Sequence, residues 1–325
     1  MRISSMTKLS MPWPPDFVER LAEIVKPHSV NSVLEQLATD RRPCFRVNRL
    51  KASPEQVRCA LQQLGIDADP WPHKPDALFV SSAQRHAVLE STMYREGLLY
   101  SQSLSSQLAA SCLPVHAGMH VLDMCAAPGG KTLQLAAMMH GEGTIVANEA
   151  VRKRFFKLRG VLAQQGADMV QTTLQDGRWL WRRYAETFDA VLVDAPCSTE
   201  ARMRPGKPST QSHWSMRKIR ETSRKQKGLL RSAIRCLKTG GYLVYATCSF
   251  APEENELIVQ DAIRHFGDAI MTEPIRIEGL PIMSGLSYWR GKPLAEQVRS
   301  AVRILPGPYS EAMFICLLRK CSPTP

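Results

Sequence analysis

No stretch of the 325-residue chain approaches the roughly 20 apolar residues that a membrane-spanning helix needs. The opening MRISSMTKLSMPWPPD also has no apolar core of a secretory signal, so a soluble, cytoplasmic protein is expected. The nine cysteines are odd in number and include no C-x-x-C pair. Neither a zinc site nor a disulfide framework is suggested, and most of the thiols read as small buried hydrophobes. There is no repeat and no low-complexity tract. With 44% hydrophobic and 22% charged residues, the composition excludes a disordered, collagen-like or coiled-coil chain.

Acid is the sign in short supply. Thirty Asp and Glu face 42 Lys and Arg, a formal charge of +12 that asks for an anionic partner. The excess is local. Residues 200–240 carry +10, through Arg202, Arg204, Lys207, Arg217, Lys218 and seven further bases, and residues 151–160 carry +5. The other 274 residues sum to −3. One basic run is ordinarily a solvated helix face. Ten charges in a window interrupted by Pro205, Gly206, Pro208 and Trp214 read as a loop and helix that serve nucleic acid.

Two units are expected, residues 1–100 and 101–325. The first is small and mixed. Helical spacing covers Asp16 to Val25, and Phe45 to Leu50 is a strand candidate. Ser53-Pro54 caps a helix to about Leu64 that Gly65 stops. The run Asp69 to Pro75 reads as a connector before a strand near Leu78 to Val80. A helix over Ser101 to Cys112 leads into the second unit, where apolar runs alternate with helical patterns. Strands are expected at His120–Met124, Thr144–Asn148, Met169–Thr173, Ala190–Asp194, Tyr242–Thr247 and Met313–Leu318. Helices are expected at Lys131–Met139, Arg152–Gln164, Met216–Leu237 and Glu253–Phe266. The class is α/β, a Rossmann-like, doubly wound and mostly parallel sheet. Residues 280–300 fit no periodic pattern.

The chemistry gathers at the ends of these strands. The first runs into Cys125-Ala126-Ala127-Pro128-Gly129-Gly130-Lys131, small residues that let the backbone approach a ligand. A Walker A loop needs Gly where Cys125 stands, which disfavours a P-loop ATPase, and G-x-G-x-x-G is also missing. A nucleoside cofactor without a pyrophosphate remains. Glu149, after the second strand, is placed to accept from ribose hydroxyls, and Asp176, after the third, to meet a base amino group. Asp194-Ala195-Pro196-Cys197-Ser198 and Thr247-Cys248-Ser249 end the next two strands. If those strands are neighbours, two thiols face one crevice.

These motifs resemble the Nop/Sun family of RNA 5-methylcytosine methyltransferases, most of all its bacterial ribosomal RNA members. The similarity runs from Arg46-Val47-Asn48 through Tyr100-Ser101-Gln102 to Arg303-Ile304-Leu305-Pro306, and the AAPGGKT loop with paired DAPCS and TCS motifs is its most specific part. The resemblance implies a Rossmann-like methyltransferase domain behind a small RNA-recognition-like α+β unit. It implies that Cys125 to Lys131, Glu149, Asp176 and Asp194 bind S-adenosyl-L-methionine, that Cys248 is the nucleophile, and that Cys197 assists product release. Thiolate addition to carbon 6 would make carbon 5 of cytosine enamine-like, with Asp194 holding the pairing edge. The base must be unpaired or flipped. Arg202, Arg204, Lys207, Arg217 and Lys218 would grip ribosomal RNA or tRNA, with Trp214 as a stacking platform or a core residue. Lys131 faces the cofactor or simply starts its helix. A monomer with no membrane or metal partner is expected.

Three departures stand out. The chain reads PCSTEARMR where many relatives have PCSG-x-G, and Glu311-Ala312-Met313-Phe314 where Gly-Phe-Phe is usual. A C-terminal RNA-binding extension found in ribosomal members is not expected before the sequence ends at Pro325. The competing readings are a DNA cytosine methyltransferase, which normally attacks through the Pro-Cys thiol, and a non-catalytic RNA-binding or assembly factor that keeps the fold.

Overall fold

A computed structural model describes residues 13–212 and 214–324. The N-terminal segment with Met1, Met6 and Met11 lies outside the described residues.

Four short strands build the first sheet: β1 (Cys44–Val47), β2 (Asp69–Trp71), β3 (Lys74–Phe79) and β4 (Leu99–Ser101), in the antiparallel order β2-β3-β1-β4. The helix Pro54–Gln63 covers it, started by a reciprocal capping box between Ser53 and Gln56. Gly65, at φ +70°, ends it in the left-handed region. Phe45, Val47, Val57, Leu61, Leu78 and Leu99 form its apolar core. The connector expected at Asp69 to Pro75 is instead the β2–β3 hairpin. Pro70 lies on the edge strand, where a missing N–H costs no central ladder bond.

The second sheet contains β5 (His120–Asp123), β6 (Thr144–Asn148), β7 (Val170–Thr173), β8 (Phe188–Asp194), β9 (Leu237–Thr247), β10 (Ile270–Glu273) and β11 (Ile282–Ser284). The hairpin of β12 (Tyr288–Trp289) and β13 (Lys292–Pro293) stands apart, and β14 (Val302–Ile304) and β15 (Met313–Lys320) complete the sheet. The order is β11-β14-β15-β9-β8-β5-β6-β7, with β10 also on β15. β5 to β9 are parallel, and β15 runs antiparallel to β9.

Alternation along the central strands feeds two cores. Leu122, Val191, Val193, Leu243 and Tyr245 face the helices Met216–Cys236 and Glu256–Phe266. Val121, Ala190, Leu192, Val244 and Ala246 face the helices Leu104–Ser111 and Gly130–Met138. This is the doubly wound sheet expected. Strand order reverses between β5 and β8, and a crevice outside their carboxyl ends is where such sheets bind ligands.

The first two helices, Pro15–Ile24 and Val30–Ala38, leave the small sheet. Phe17, Leu21, Val33 and Leu37 pack with Ala201, Met203, Phe250 and Leu305, beneath the loops that follow β8 and β9.

Candidate active site

The turn after β5 is shaped by two glycines. Gly129 has φ +118°, which a side chain disfavours, and a Cβ on Gly130 would lie 2.6 Å from the Tyr100 ring. Arg46, fully buried on β1, donates to the Gly130 carbonyl at 3.2 Å and to Gln102 Oε1 at 2.9 Å. Burial lowers its guanidinium to about 10. Arg154 donates to the Ala127 carbonyl at 2.7 Å from the other side. The loop Cys125 to Lys131 is thus clamped between the small sheet and the helix Arg152–Gln165. Arg46 stands in a stretch of family similarity, but no local pattern gave it this role.

One lobe of the crevice, about 360 Å³, is lined by Cys125, Asn148, Glu149, Asp176 and Arg178. Glu149 is buried. Its Oε1 accepts from the Val151 N–H at 2.8 Å, while its Oε2 lies 3.3 Å from Arg154 Nη1 in a geometry that makes no hydrogen bond. A buried carboxylate oxygen left without a donor is a site waiting for one. Asp176 is half-buried and chelates Arg178, accepting from Nη2 at 2.6 Å. That bond holds its carboxyl below the usual range.

The other lobe, about 300 Å³, contains Cys125, Lys131, Asp194, Cys197, Arg202 and Cys248. β8 and β9 are parallel neighbours with Asp194 opposite Ala246, so both cysteines leave the same sheet edge. Their Sγ atoms are 3.3 Å apart. The hydrogen bond from Cys197 lowers the Cys248 thiol, with Arg202 adding to that effect against burial. The same bond, then burial, pushes Cys197 well up. The two thiols are thus pushed in opposite directions, Cys248 toward ionisation and Cys197 toward keeping its proton. Burial pushes Cys125 up as well, so its thiol stays neutral.

Lys131 does more than start its helix. Its Nζ donates to Asp194 Oδ2 at 2.8 Å and to Ser106 Oγ at 2.7 Å. Below it, burial raises Asp123 to about 7, and its Oδ2 accepts from the Thr132 hydroxyl at 2.7 Å. Two acids that local sequence did not single out, Glu200 and Glu254, are buried under the thiol loops.

The basic window divides. Arg202 stands at the mouth of the thiol lobe and Lys218 at that of the acid lobe, while Lys207 and Arg217 are exposed. Arg204 turns back on the Ala201 and Met203 carbonyls. Trp214 packs edge-on against Phe17 at 5.8 Å and donates its indole N–H to Glu200, so it is an anchored core residue rather than a free stacking platform. Further along the helix Met216–Cys236, Lys227 and Arg231 pair with Asp261, and on β9 Lys238 pairs with Asp189. The rim is therefore narrower than the charge count suggested. Among the described residues, no cluster of three His, Cys, Asp or Glu could hold a metal, and no helix is long and apolar enough to cross a membrane.

A doubly wound sheet with a Gly-Gly loop after its first strand and acids after the next two defines a Rossmann-like methyltransferase fold. Residues 110–319 match the family model described as 16S rRNA methyltransferase RsmB/F, and residues 13–86 that of the RsmF/B-like ferredoxin-like domain. The chain belongs to the RsmB/F methyltransferase family. It is 32% identical to ribosomal RNA small subunit methyltransferase F of Shewanella sp. (strain MR-4), over 95% of this chain and 63% of that protein. It is 35% identical to tRNA (cytosine(49)-C(5))-methyltransferase of Pyrococcus abyssi, over 86% of this chain and 88% of that one. It thus spans less than two thirds of the first of these relatives. A methyltransferase homolog protein from Pyrococcus horikoshii superimposes with TM-score 0.78 and 28% identity, covering 94% of this chain and 99% of that one. NSun6 from the same organism, 21% identical with TM-score 0.80 over 95% and 99% of the chains, shares the fold.

Proposed function

We propose that the protein transfers a methyl group from S-adenosyl-L-methionine to carbon 5 of a cytosine in RNA. The observation that carries this reading is the pair of thiols at 3.3 Å, one lowered and one raised, beside the Lys131–Asp194 ion pair.

The cofactor supplies a methyl group on a sulfonium. The acid lobe fits it: Glu149 Oε2, which accepts no hydrogen bond, would accept from a ribose hydroxyl, Asp176 from a base amino group, and the side-chain-poor Ala126 to Gly130 turn leaves room for the methionine part. The Cys248 thiolate adds to carbon 6, and the electron pair passes through the ring to carbon 5, which takes the methyl group. Lys131 and Asp194 present a donor beside an acceptor, the complement of a cytosine edge with its carbonyl and amino group. Lys131 then faces the negative charge that develops on the ring. Asp194 is paired with an ammonium, which favours its role as acceptor over that of proton carrier. The carbon 5 proton then passes to water, its bonding pair restores the carbon 5–carbon 6 double bond, and the carbon 6–sulfur bond breaks to release Cys248 as a thiolate, to which the Cys197 S–H donates a hydrogen bond.

The target base reaches this lobe only when unstacked. Arg202 at the mouth, with Lys207, Arg217 and Lys218, would hold the flanking phosphates, and the division near residue 100 separates this catalytic part from an RNA-recognition unit. Ribosomal RNA is the substrate that the matching family model favours. The tRNA reading is favoured by the Pyrococcus abyssi relative, which this chain matches over most of both lengths. Both are tested together. Purified protein, labelled cofactor and RNA from cells lacking the gene are expected to give label in 5-methylcytosine, at positions that bisulfite sequencing assigns to rRNA or tRNA. Absence of label from cytosine in both would overturn the function.

A further inference from the structure

The two thiol-bearing loops exchange buried carboxylates. Glu200 lies three residues after Cys197, yet its Oε2 serves the loop of Cys248. It accepts from the Ser249 hydroxyl at 3.0 Å and from the Phe250 and Ala251 N–H groups at 2.8 Å each. Glu254 lies six residues after Cys248 and serves the loop of Cys197. Its Oε1 accepts from the Ser198 N–H at 2.9 Å and from the Thr222 hydroxyl, and its Oε2 from the Ser198 hydroxyl. Ser198 and Ser249, each next to its cysteine, have their hydroxyl oxygens 3.1 Å apart between the two acids.

Both carboxylates are nearly inaccessible, at 2% and 0% exposure. Placing two acids of like charge under one pair of loops is costly, and burial with the charge of Glu200 raises Glu254. Apolar residues could close the same space more cheaply. What they could not do is fix backbone N–H groups on both sides of a 3.3 Å contact between sulfurs. The bonds are charge-assisted and the donors flank the cysteines, so a shift of either acid moves a thiol directly. Trp214 and Thr222 extend the arrangement into the basic window, since each donates to one of the two acids.

We propose that Glu200 and Glu254 form a reciprocal clasp that positions the two thiols, Glu200 setting Cys248 for attack and Glu254 setting Cys197 for product release. The assignment of steps rests on the function proposed above, whereas the clasp itself does not. Both are positioning residues, because neither meets substrate.

The test uses Glu200→Gln and Glu254→Gln in the full chain, with thermal melting to confirm folding. Gln keeps the shape but offers one acceptor oxygen where the carboxylate has two. The first readout is the pH profile of Cys248 alkylation by iodoacetamide, followed by peptide mass spectrometry without RNA. Both variants are expected to move the midpoint upward and to slow alkylation at pH 7 by at least about fivefold, because the Cys197–Cys248 bond is loosened. The second is turnover with RNA. Glu200→Gln should lower kcat about 10-fold or more with the cofactor KM within about twofold, and Glu254→Gln should accumulate protein–RNA adduct. If the Gln variants fail to fold, Ser249→Ala and Ser198→Ala, which each remove one hydroxyl bond to a clasp carboxylate together with the contact between the two hydroxyls, must show the same ordering at about threefold. Wild-type alkylation profiles in folded variants would overturn the clasp. Shifted profiles in a protein that transfers no methyl group to RNA would support the clasp and overturn the reaction.

Discussion

The two lobes of the crevice are built on opposite plans. In the thiol lobe the polar groups bond to one another: Cys197 to Cys248, Lys131 to Asp194 and Ser106. In the acid lobe an acceptor is left open, since Glu149 Oε2 is buried without a donor, and Asp176 is half exposed on a two-residue chelate of Arg178. Asp123 Oδ1, buried on the wall of the thiol lobe, also lacks a donor, but the thiols, Lys131 and Asp194 are bonded and fixed, and groups held in that way are prepared for chemistry, where reorganisation would cost rate. A lobe with an unsatisfied acceptor is prepared for binding, where the ligand completes the bonds.

The comparison breaks if substitutions in one lobe act through the other. The largest effect belongs to Cys248→Ala. Methyl transfer should fall by at least about 10⁴-fold, as on removal of other covalent nucleophiles, while cofactor affinity by calorimetry stays within about twofold. A parallel loss of affinity would show that the lobes are not separate. Next comes Glu149→Ala, which removes a charged acceptor. Cofactor Kd should rise by about 10- to 100-fold with Cys248 alkylation unchanged. Asp176→Asn should cost less, about threefold, because that carboxyl is already held by Arg178 and partly open to water.

The smallest effect sharpens the thiol side alone. A lowered thiol gives up its proton at a lower pH, so Cys248 alkylation should rise through a midpoint below that of an ordinary cysteine. Cys197→Ala removes the hydrogen bond that contributes most to this lowering and should move the midpoint up. An unchanged midpoint would mean that Arg202, rather than the neighbouring thiol, sets the ionisation.

The thiol and acid lobes were legible in the sequence to different depths. Strand ends in a parallel sheet announce themselves, because apolar runs such as AVLVD stop at the residue that meets the ligand. Asp194, Cys197, Cys248 and Glu149 were therefore placed correctly relative to the sheet. What local pattern cannot show is who bonds to whom. Lys131 finds Asp194 63 residues away, and Glu254 finds Ser198 56 residues away. Arg46 reaches the Cys125–Lys131 loop from another sheet altogether. An isolated acid such as Glu200 looks like a loop residue until burial is known. Trp214 shows a different limit, in that an aromatic within a basic window reads equally as a stacking platform or a core residue, and only its contacts with Phe17 and Glu200 favour the second.

The fold has the same boundary. The helix at Pro54–Gln63 was readable from Ser53, Pro54 and Gly65 because caps are local chemistry. The hairpin at Asp69–Phe79 was missed because three prolines mask it: Pro70 lies on the edge strand, which tolerates it, Pro72 in the turn and Pro75 near the start of β3. Residues 280–300 gave no pattern because they fold as strands of two or three residues and a short 3₁₀ turn, too brief to show a period.

The division of labour between the two cysteines is the central claim, and trapping of the covalent complex tests it most directly. Wild type, Cys197→Ala and Cys248→Ala are each incubated with RNA and cofactor and resolved on denaturing gels. A stable protein–RNA band is expected for Cys197→Ala alone, since attack proceeds while release fails, and none for Cys248→Ala. A band from Cys248→Ala, with none from Cys197→Ala, would contradict the assignment and make the Pro-Cys thiol the nucleophile.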